Sequence, residues 1–405
     1  MRSFASHSEP KAAYAETGCP FCGDSPVDHF YAYSEGTIGV FFEKINRLPI
    51  FRTVSSFFFR IFNPILGRLV FSFLHSIGIA ELTEDIETAP LLRSRVIWLE
   101  AKKRGFKMEQ YLIYGRQSDF YRVQLGNRFI YFRSLPIPSK LEREDISWMD
   151  DKFLLKKKLK SKGISVPRSY TVSSKWQALR AFRKIKSLPV VVKPRTGSRG
   201  RHTVTFILDK EDLKRAFKVA QQINYYVQVE EQLFGSVCRA TVIGGKLRGF
   251  LKANPPKVIG DGIHTVEELI EEKNRTKPDS IVDVIIKPEL IEHIRRQGFT
   301  LQSVLPKDEV LALLFRTGRL FGGDTTEMCS SVHSTLRKEL EYAAKILNVP
   351  VIGFDLIIEA PEEDPKEQKW GIIEGNTLPF IDLHDFAFSG GPANVAQYIW
   401  DLWEV

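Results

Sequence analysis

The feature that most constrains the fold is a short strand pattern that runs into a glycine-containing, positively charged loop. Residues 190–192 are all valine, and Lys193 and Pro194 follow them. The loop 195–201 reads Arg-Thr-Gly-Ser-Arg-Gly-Arg, and a second strand pattern follows over 203–208. A loop of this kind can fold over phosphate groups, because it offers backbone N–H groups and cations. It is not a Walker loop, since the GxxxxGK[ST] pattern and the following helix are missing.

Oxygen-bearing side chains lie on two later strand patterns. The pattern over 349–358 carries Asp355, and the pattern over 371–376 ends in Glu374 and Asn376. Alternation along a strand places Glu374 and Asn376 on one face. Oxygen ligands of this type suit Mg²⁺, which binds through one or two carboxylates plus substrate phosphates. A cation-bearing loop and a separate acidic pair are the two halves expected of a nucleotide site, although each feature alone is better explained as a strand end or a turn.

Composition indicates an ordinary globular protein with sizeable cores. The chain has 405 residues, of which 43% are hydrophobic, so two or three packed domains are expected. Beyond residue 148, helical and strand patterns alternate without internal repeats, which predicts an α/β (α+β) fold.

The charge balance is modestly basic, with a formal net charge of +9. This excess is compatible with nucleic acid, an anionic membrane or phosphorylated small molecules as partners. A run of lysines is predicted to form a solvated helix face, because no aromatic interleaving or RNA-binding motif accompanies it, and no nucleic-acid partner is expected. The run comprises Lys156, Lys157, Lys158, Lys160 and Lys162.

The segment 36–90 is rich in Phe and Arg and is predicted to be helical. Its longest stretch without acidic residues, Lys or Arg runs from Leu69 to Ala80, shorter than the roughly 20 apolar residues that a membrane span needs. Two interpretations remain open for 36–80. We favour helices buried against the rest of the protein, because the arginines do not gather on one helical face. The alternative is a basic, apolar hairpin that lies peripherally on an anionic membrane.

Residues 91–145 predict a small α/β unit that ends in a polar linker. A helix is expected from Arg93 to Lys103, and short strand patterns follow it. Gly126 and Asn127 separate two of these patterns, as the turn of a β-hairpin does.

Cysteine usage favours a reducing, cytoplasmic setting, because four cysteines are too few and too scattered for a disulfide framework and no signal peptide opens the chain. In the tail 1–35, Cys19 and Cys22 form a Cys-Pro-Phe-Cys-Gly knuckle, which supplies half of a zinc site. Two further ligands would be needed, such as His7, His29 or a residue of a second chain. A redox role would place the pair ahead of a helix, whereas the next residues indicate a turn. We therefore favour an ordinary tail over a Zn²⁺ site.

From Asp151 to the C-terminus the sequence resembles the ATP-grasp superfamily of carboxylate-amine ligases, and within it the ATP-grasp domain of cyanophycin synthetases, with relatives among glutathione-forming and D-alanine-joining ligases. The matching stretches, in order, are 151–152 with 163–167, 192–195, 229–235 leading to Arg239, 255–262, 322–323 with His333, 353–355, and 373–379. The resemblance implies an ATP-grasp domain over 146–405, in which two α/β subdomains grip ATP, preceded by a pre-ATP-grasp-like unit over 91–145.

The same resemblance implies roles for individual residues. The ATP-binding set comprises Lys152, Lys193, Thr196, Gly197, Ser198, Arg199, Gly200, Glu230, Glu231 and Leu233. Within it the lysines would hold the α- and β-phosphates, the loop would close over the transferring phosphate, and the hinge residues would contact adenine. Asp355, Glu374 and Asn376 would bind Mg²⁺ or Mn²⁺. Arg239 and Lys193 would be catalytic, with Arg239 facing the developing acyl phosphate.

The implied reaction has two steps. A substrate carboxylate attacks the γ-phosphate of ATP, and an amine then displaces phosphate from the acyl phosphate. Phosphoryl transfer needs alignment and charge neutralisation, so no protein nucleophile is expected. The partners expected are a small-molecule or peptide carboxylate and amine, and relatives of this kind are often homodimers. Lys252, His333 and His384 are candidate substrate contacts. A surface or core role explains His333 equally well, and it is the favoured explanation for Lys252 and His384.

The sequence also departs from the family pattern at a ribose contact and on the acceptor side. Val237 stands where an acidic ribose contact is often found, and residues 252–254 replace a common arginine motif. The sequence ends at Val405 without the Mur-ligase-like half of cyanophycin synthetase, so cyanophycin synthesis is not expected. Two alternatives to a ligase remain open: a catalytically inactive ATP-binding or membrane-associated adaptor, and a kinase or thiol ligase on the same fold.

Overall fold

The computed structural model describes residues 19, 21–22, 27–34, 37–38, 69–138, 149, 151–196, 200–278 and 281–403. Most of the segment 36–80 therefore lies outside the described residues. The helices are α1 (residues 29–34), α2 (residues 69–76), α3 (Leu92–Lys103), α4 (Lys152–Lys160), α5 (Lys175–Lys184), α6 (Lys210–Gln221), α7 (Val266–Thr276), α8 (Pro288–Arg296), α9 (Ser334–Leu347), α10 (Asp382–Asp385) and α11 (Ala396–Asp401).

The strands form four sheets, and the pairings between them are antiparallel. The strands are β1 (Ala80–Thr83), β2 (Lys107–Ile113), β3 (Arg116–Leu125), β4 (Arg128–Arg133), β5 (Ser169–Val172), β6 (Val190–Pro194), β7 (Val204–Ile207), β8 (Val227–Glu231), β9 (Ser236–Ile243), β10 (Lys246–Ala253), β11 (Lys257–Ile259), β12 (Val310–Ala312), β13 (Thr325–Glu327), β14 (Val351–Ile358) and β15 (Gly371–Asn376). We name three of the sheets: the N-terminal sheet has the order β1-β2-β3-β4, the central sheet β5-β8-β6-β7, and the C-terminal sheet β13-β10-β9-β14-β15. The fourth sheet pairs β11 with β12.

The N-terminal sheet and α3 form a small α/β unit. Helix α3 packs on the sheet, and β3 and β4 form the hairpin whose turn is Gly126 and Asn127. The indole Nε1 of Trp400 on α11 donates a hydrogen bond to the carbonyl oxygen of Ile97 at 3.0 Å, so the end of the chain seals the same core. One boundary differs from the prediction, because Ala80–Thr83 is a strand paired with β2 and not part of a helical segment.

The described part of the Phe/Arg-rich segment contacts this sheet. The ring of Phe71 on α2 lies 5.0 Å from the ring of Tyr111 and 4.4 Å from that of Phe120, measured between centroids. On the same helix Leu69 and Phe73 are exposed. No helix in the described part of the chain combines the length and apolar character that crossing a membrane requires.

The central sheet is covered by α5 and α6. Asp209 caps α6, since its side chain accepts hydrogen bonds from the backbone N–H groups of Glu211 and Asp212. The buried residues of α6 recur at helical spacing and pack on β6 and β8: Leu213, Ala216, Phe217 and Ala220. This packing fixes the strand β6 that carries Lys193.

The C-terminal sheet is covered by α9 and α4. Glycine at position 375 allows the close approach of α4, because a Cβ atom there would lie 2.9 Å from a methyl carbon of Leu155. Asp151 caps α4 by accepting hydrogen bonds from the N–H groups of Phe153 and Leu154 at 2.8 and 3.2 Å. Helix α4 is thereby held between the central and C-terminal sheets.

Gly235 forms the joint between β8 of the central sheet and β9 of the C-terminal sheet. Its φ is +116°, and a Cβ atom there would lie 2.5 Å from the backbone carbonyl of Ile358. Both the backbone conformation and the lack of space therefore require glycine at this position.

We expect Gly235→Ala to destabilise the protein more than the matched control Gly245→Ala. Gly245 has a φ of +76° with nothing within 4 Å of a Cβ, so alanine there adds only backbone strain of about 1–2 kcal/mol. Alanine at 235 adds a steric cost of about 1–3 kcal/mol to that strain. Free energies of unfolding from denaturant titration measure the difference, and equal losses in the two variants would contradict this account of the joint.

Candidate active site

A buried cluster of charges joins α4 to the central sheet. The carboxylate of Glu230 on β8 lies between two lysines, with Oε1 accepting from Nζ of Lys193 at 2.7 Å and Oε2 contacting Nζ of Lys156. Lys156 also donates to Oε1 of Gln228 at 2.9 Å. The cluster is fixed by sheet register, because Lys193 and Gln228 are directly paired across β6 and β8.

The electrostatics of the cluster keep Glu230 ionised. Burial opposes ionisation, but the charges of Lys156 and Lys193 outweigh it and hold the pKa of Glu230 below its usual value. Burial lowers the pKa of Lys156 to about 8, since the attraction of Glu230 only partly offsets desolvation. At neutral pH two ammonium groups therefore surround one carboxylate, and the excess positive charge suits a phosphate ligand.

The loop between β6 and β7 starts from a second buried ion pair. The guanidinium of Arg195 contacts the carboxylate of Asp151, with Nη2 to Oδ2 at 2.6 Å and Nε to Oδ2 at 2.8 Å. Thr196 follows, and its hydroxyl oxygen accepts a hydrogen bond from the amide nitrogen of Asn224 at 2.8 Å. Asp151 thus fixes both the start of α4 and the start of the loop.

The central part of the predicted phosphate loop, Gly197, Ser198 and Arg199, lies outside the described residues. Gly200 follows with a φ of +79° and open space around the position of a Cβ atom. Its backbone conformation is one that glycine adopts at no steric cost. The role of this loop in covering a phosphate stays a prediction.

A third group of charges crosses the C-terminal sheet. Asp355 on β14 is directly paired with Arg239 on β9 and with Glu374 on β15. Nε and Nη2 of Arg239 donate to the two oxygens of Asp355 at 2.5 and 2.7 Å. The amide nitrogen of Asn376 lies 3.5 Å from Oδ2 of Asp355. The predicted metal ligands and the predicted catalytic arginine are therefore neighbours on adjacent strands.

The residues around Asp355 fit a divalent cation and an anionic substrate. Asp355, Glu374 and Asn376 offer oxygen donors of the type that Mg²⁺ prefers. Burial raises the pKa of Asp355 and Arg239 opposes this, so the carboxylate depends on positive charge around it. The Nη1 atom of Arg239 is buried and has no hydrogen-bond partner in the described part of the chain. It is free to donate to a negatively charged group beside Asp355.

One contact links the lysine cluster to the acidic group. Lys152 is the first residue of α4, and its Nζ atom lies 3.5 Å from Oε1 of Glu374. The side chain of Lys152 is 3% exposed, whereas that of Glu374 is 31% exposed. The predicted phosphate-binding lysine and the predicted metal ligand thus meet at the boundary between the two sheets.

The predicted hinge residues lie between these sheets. Leu233 is buried, and Glu231 forms an ion pair with Lys369. Both carboxylate oxygens of Glu230 contact lysines, so this side chain balances charge in addition to any contact with the adenine base. The adenine contacts implied by the resemblance for these residues stay predictions.

The structure corrects two of the proposed substrate contacts. His384 is fully buried, and its ring nitrogens pair with Oε2 of Glu327 at 2.6 Å and the hydroxyl of Thr241 at 2.7 Å. It is a core residue. Lys252 on β10 is paired with Cys238 on β9. Cys238 directly precedes Arg239, so Lys252 and Arg239 lie on opposite faces of the sheet.

His333 occupies a structural position at the start of α9. Its Nδ1 atom accepts a hydrogen bond from the N–H group of Thr335 at 3.3 Å, so it caps the helix. The part-exposed ring leaves a substrate contact as a prediction.

Sequence reasoning missed Lys156. The lysine run is solvated at Lys157, Lys158, Lys160 and Lys162, but Lys156 is 3% exposed. Helical periodicity could have identified it. Lys152 and Lys156 are four residues apart, as are Leu155 and Leu159 of the apolar stripe of α4, so both lysines fall on the buried side of the helix.

We expect Glu230→Gln to destabilise the protein by about 3–5 kcal/mol, because it leaves two buried ammonium groups without a carboxylate. The neighbouring Glu231→Gln is the matched control. Lys369, the partner of Glu231, is 59% exposed, so this change should cost no more than about 1 kcal/mol. Denaturant titration of both variants checks the prediction, and similar losses would show that the cluster contributes no more than a surface pair.

Comparisons with known proteins agree with this architecture. The chain is 30% identical over 311 residues to the glutathione biosynthesis bifunctional protein GshAB of Mannheimia succiniciproducens, a match that covers 74% of this chain and 41% of that protein. It is 29% identical over 252 residues to the cyanophycin synthetase of a Synechocystis species, covering 60% of this chain and 29% of the relative. The chain thus spans less than half the length of these curated relatives.

A solved structure supports the fold. The bifunctional glutathione synthetase of Pasteurella multocida superposes with a TM-score of 0.52 at 23% identity, over 77% of this chain and 44% of that one. No family model matches the sequence. The predicted resemblance is confirmed: the chain has the ATP-grasp fold and is a homologue of GshAB and cyanophycin synthetase.

Proposed function

We propose that this protein is an ATP-dependent ligase that forms an amide or peptide bond through an acyl phosphate and releases ADP and phosphate. The observation that carries the proposal is the meeting of Lys152 and Glu374 at 3.5 Å, which joins a buried positive cluster to an acidic group that holds a bidentate arginine. Phosphoryl transfer from ATP needs these two halves side by side, one for the phosphates and one for the metal and the acceptor.

The lysine cluster suits the phosphates that are not transferred. Lys193 and Lys156 are held in place by Glu230, so their positions are set before a nucleotide binds. Preorganised cations cost little reorganisation when charge develops during the reaction. A Mg²⁺ ion held by Asp355, Glu374 and Asn376 would neutralise charge on the β- and γ-phosphates.

Arg239 suits the reacting group. Two of its nitrogen atoms hold Asp355, which fixes the plane of the guanidinium, and Nη1 remains for a substrate oxygen. In the proposed first step, a carboxylate oxygen of the substrate bonds to the γ-phosphorus and the bond to ADP breaks. In the second, an amine bonds to the acyl carbon, the C–O bond to phosphate breaks, and the amine loses a proton. Arg239 would stabilise negative charge in both steps.

A cleft near the C-terminal sheet edge strand β13 is the proposed acceptor site. Its volume is about 210 Å³, and Arg319 and Asp324 are among its lining residues. Burial raises the pKa of Asp382, and Arg319 opposes the shift, while the charge of Asp382 also acts on Arg239. Asp382 therefore interacts electrostatically with a residue of the cleft and with Arg239. The cleft itself offers one charge of each sign, which suits an amino acid or short peptide.

Magnesium-dependent release of ADP tests the proposal. The full-length protein is incubated with pooled amino acids, dipeptides and small carboxylates, beside Glu374→Ala and the exposed control Glu363→Ala. We expect pool-dependent release that falls about 100-fold or more in Glu374→Ala and is unchanged in the control, because only Glu374 faces Asp355. ATP binding without pool-dependent turnover would instead favour the adaptor.

Arg239→Lys separates a catalytic role from a binding role. A lysine cannot reproduce the planar fork that holds Asp355 and still donates from Nη1. We expect kcat to fall about 100-fold or more while the stabilisation of the protein by magnesium-ATP, measured as a rise in Tm, persists. A change confined to KM would assign Arg239 to ground-state binding instead.

A further inference from the structure

Four side chains outside the ATP site converge on one point. They are Cys19 and Cys22 of the N-terminal knuckle, His29 at the start of α1, and His202 next to the loop 195–201. One ligand atom from each residue lies within 4.8 Å of the other three. The Sγ atom of Cys22 is 3.2 Å from Nε2 of His29 and 3.4 Å from Nε2 of His202, and Sγ of Cys19 is 3.7 Å from the latter nitrogen.

These separations match the edges of a zinc tetrahedron. Zinc–sulfur bonds of about 2.3 Å and zinc–nitrogen bonds of about 2.0–2.1 Å place tetrahedral sulfur and nitrogen ligands roughly 3.6 Å apart. The three sulfur–nitrogen distances, 3.2, 3.4 and 3.7 Å, lie around that value. Three of the six edges of a zinc tetrahedron are therefore already close to their expected length, and the other three are no longer than 4.8 Å.

The ligands are also oriented by their surroundings. Nδ1 of His202 pairs with the carbonyl oxygen of Val219 at 2.8 Å, which leaves the lone pair of Nε2 for a metal. The N–H group of His202 donates to the carbonyl oxygen of Phe21 at 2.9 Å, so the knuckle is also held through the backbone. Cys22 and His202 are 3% and 1% exposed. A water ligand has little access, as in closed structural sites.

We propose that Cys19, Cys22, His29 and His202 bind Zn²⁺ as a closed, tetrahedral structural site. Two thiolates and two neutral imidazoles balance the charge of Zn²⁺, so the centre can be buried without an unpaired charge. Mixed sulfur and nitrogen ligands in a tetrahedron are typical of zinc. The sequence favoured an ordinary tail because a lone Cys-x-x-Cys pair is weak evidence for a metal site. The ligand that the sequence could not supply, His202, is 180 residues from Cys22.

The site gives the N-terminal tail a defined place in the molecule. His202 directly follows the loop 195–201, so a zinc ion fastens the knuckle to the end of the loop that is proposed to cover the phosphates. This consequence for the loop depends on the proposed function. The zinc site itself does not, because its ligands take no part in binding ATP.

The test is metal analysis of the full-length protein, purified without a histidine tag. We expect about one zinc ion per chain, and loss of at least about nine-tenths of it in Cys22→Ser and in His202→Asn. Cys329→Ser and His264→Asn are matched controls, because neither residue belongs to the cluster, and both should keep the zinc. Zinc at unchanged level in Cys22→Ser, or no zinc in the wild type, would overturn the proposal.

A second measurement covers the case in which the variants fail to fold. Wild-type protein stripped of zinc is titrated with Co²⁺, which should give the visible bands of tetrahedral cobalt and a thiolate-to-cobalt charge-transfer band that saturate at about one ion per chain. A titration without these bands refutes the site whatever the variants do. Bound zinc without ADP release would support the metal site and contradict the proposed ligase activity. ADP release without bound zinc would support the ligase activity and contradict the metal site.

Discussion

The site depends on the two buried ion pairs that Glu230 forms with Lys156 and Lys193. They join α4 to two strands of the central sheet, and all three side chains are about nine-tenths buried or more. Removing Glu230 would leave two ammonium groups uncompensated in a region from which water is excluded, so the carboxylate holds the cluster together. The excess positive charge is what a triphosphate would neutralise.

The antiparallel C-terminal sheet supplies the second half of the site. Cross-strand pairing sets Arg239, Asp355 and Glu374 at one level of three neighbouring strands, so their spacing follows from hydrogen-bond register. The register between β14 and β15 shifts immediately after Asp355. Irregularities of this kind often lie next to active sites, where they re-aim a side chain. Helix α4 connects this group to the central sheet, because its Lys152 contacts Glu374 and its Lys156 contacts Glu230.

The sequence predicts well what depends on local period and on turn chemistry. The strand that carries Lys193, the hairpin at Gly126 and the shared face of Glu374 and Asn376 all follow from such patterns. The sequence predicts poorly which side chains become buried when another element packs over them. Lys156 looked solvated because its neighbours are charged, and His384 looked available because nothing local shows that it is buried.

Contacts between distant segments are the second kind of failure. Cys19 and Cys22 carry half of a metal-binding pattern, and the partner that completes it, His202, is brought to them only by the fold. Ala80–Thr83 is too short to show the alternation of a strand, and it becomes one because β2 offers an edge for pairing. In both cases the deciding interaction joins residues that are far apart in sequence, so a pattern read over a short stretch of sequence cannot show it.

Transfer of oxygen from the substrate to phosphate is the most direct test of the central claim, that this site activates a carboxylate as an acyl phosphate. The carboxylate that supports ADP release is labelled with ¹⁸O, and the phosphate released is analysed by mass spectrometry. The account predicts one labelled oxygen in each phosphate, because the oxygen that attacks the γ-phosphorus leaves with it when the amine displaces phosphate. Phosphate without label would contradict the account and place the chemistry of this site elsewhere.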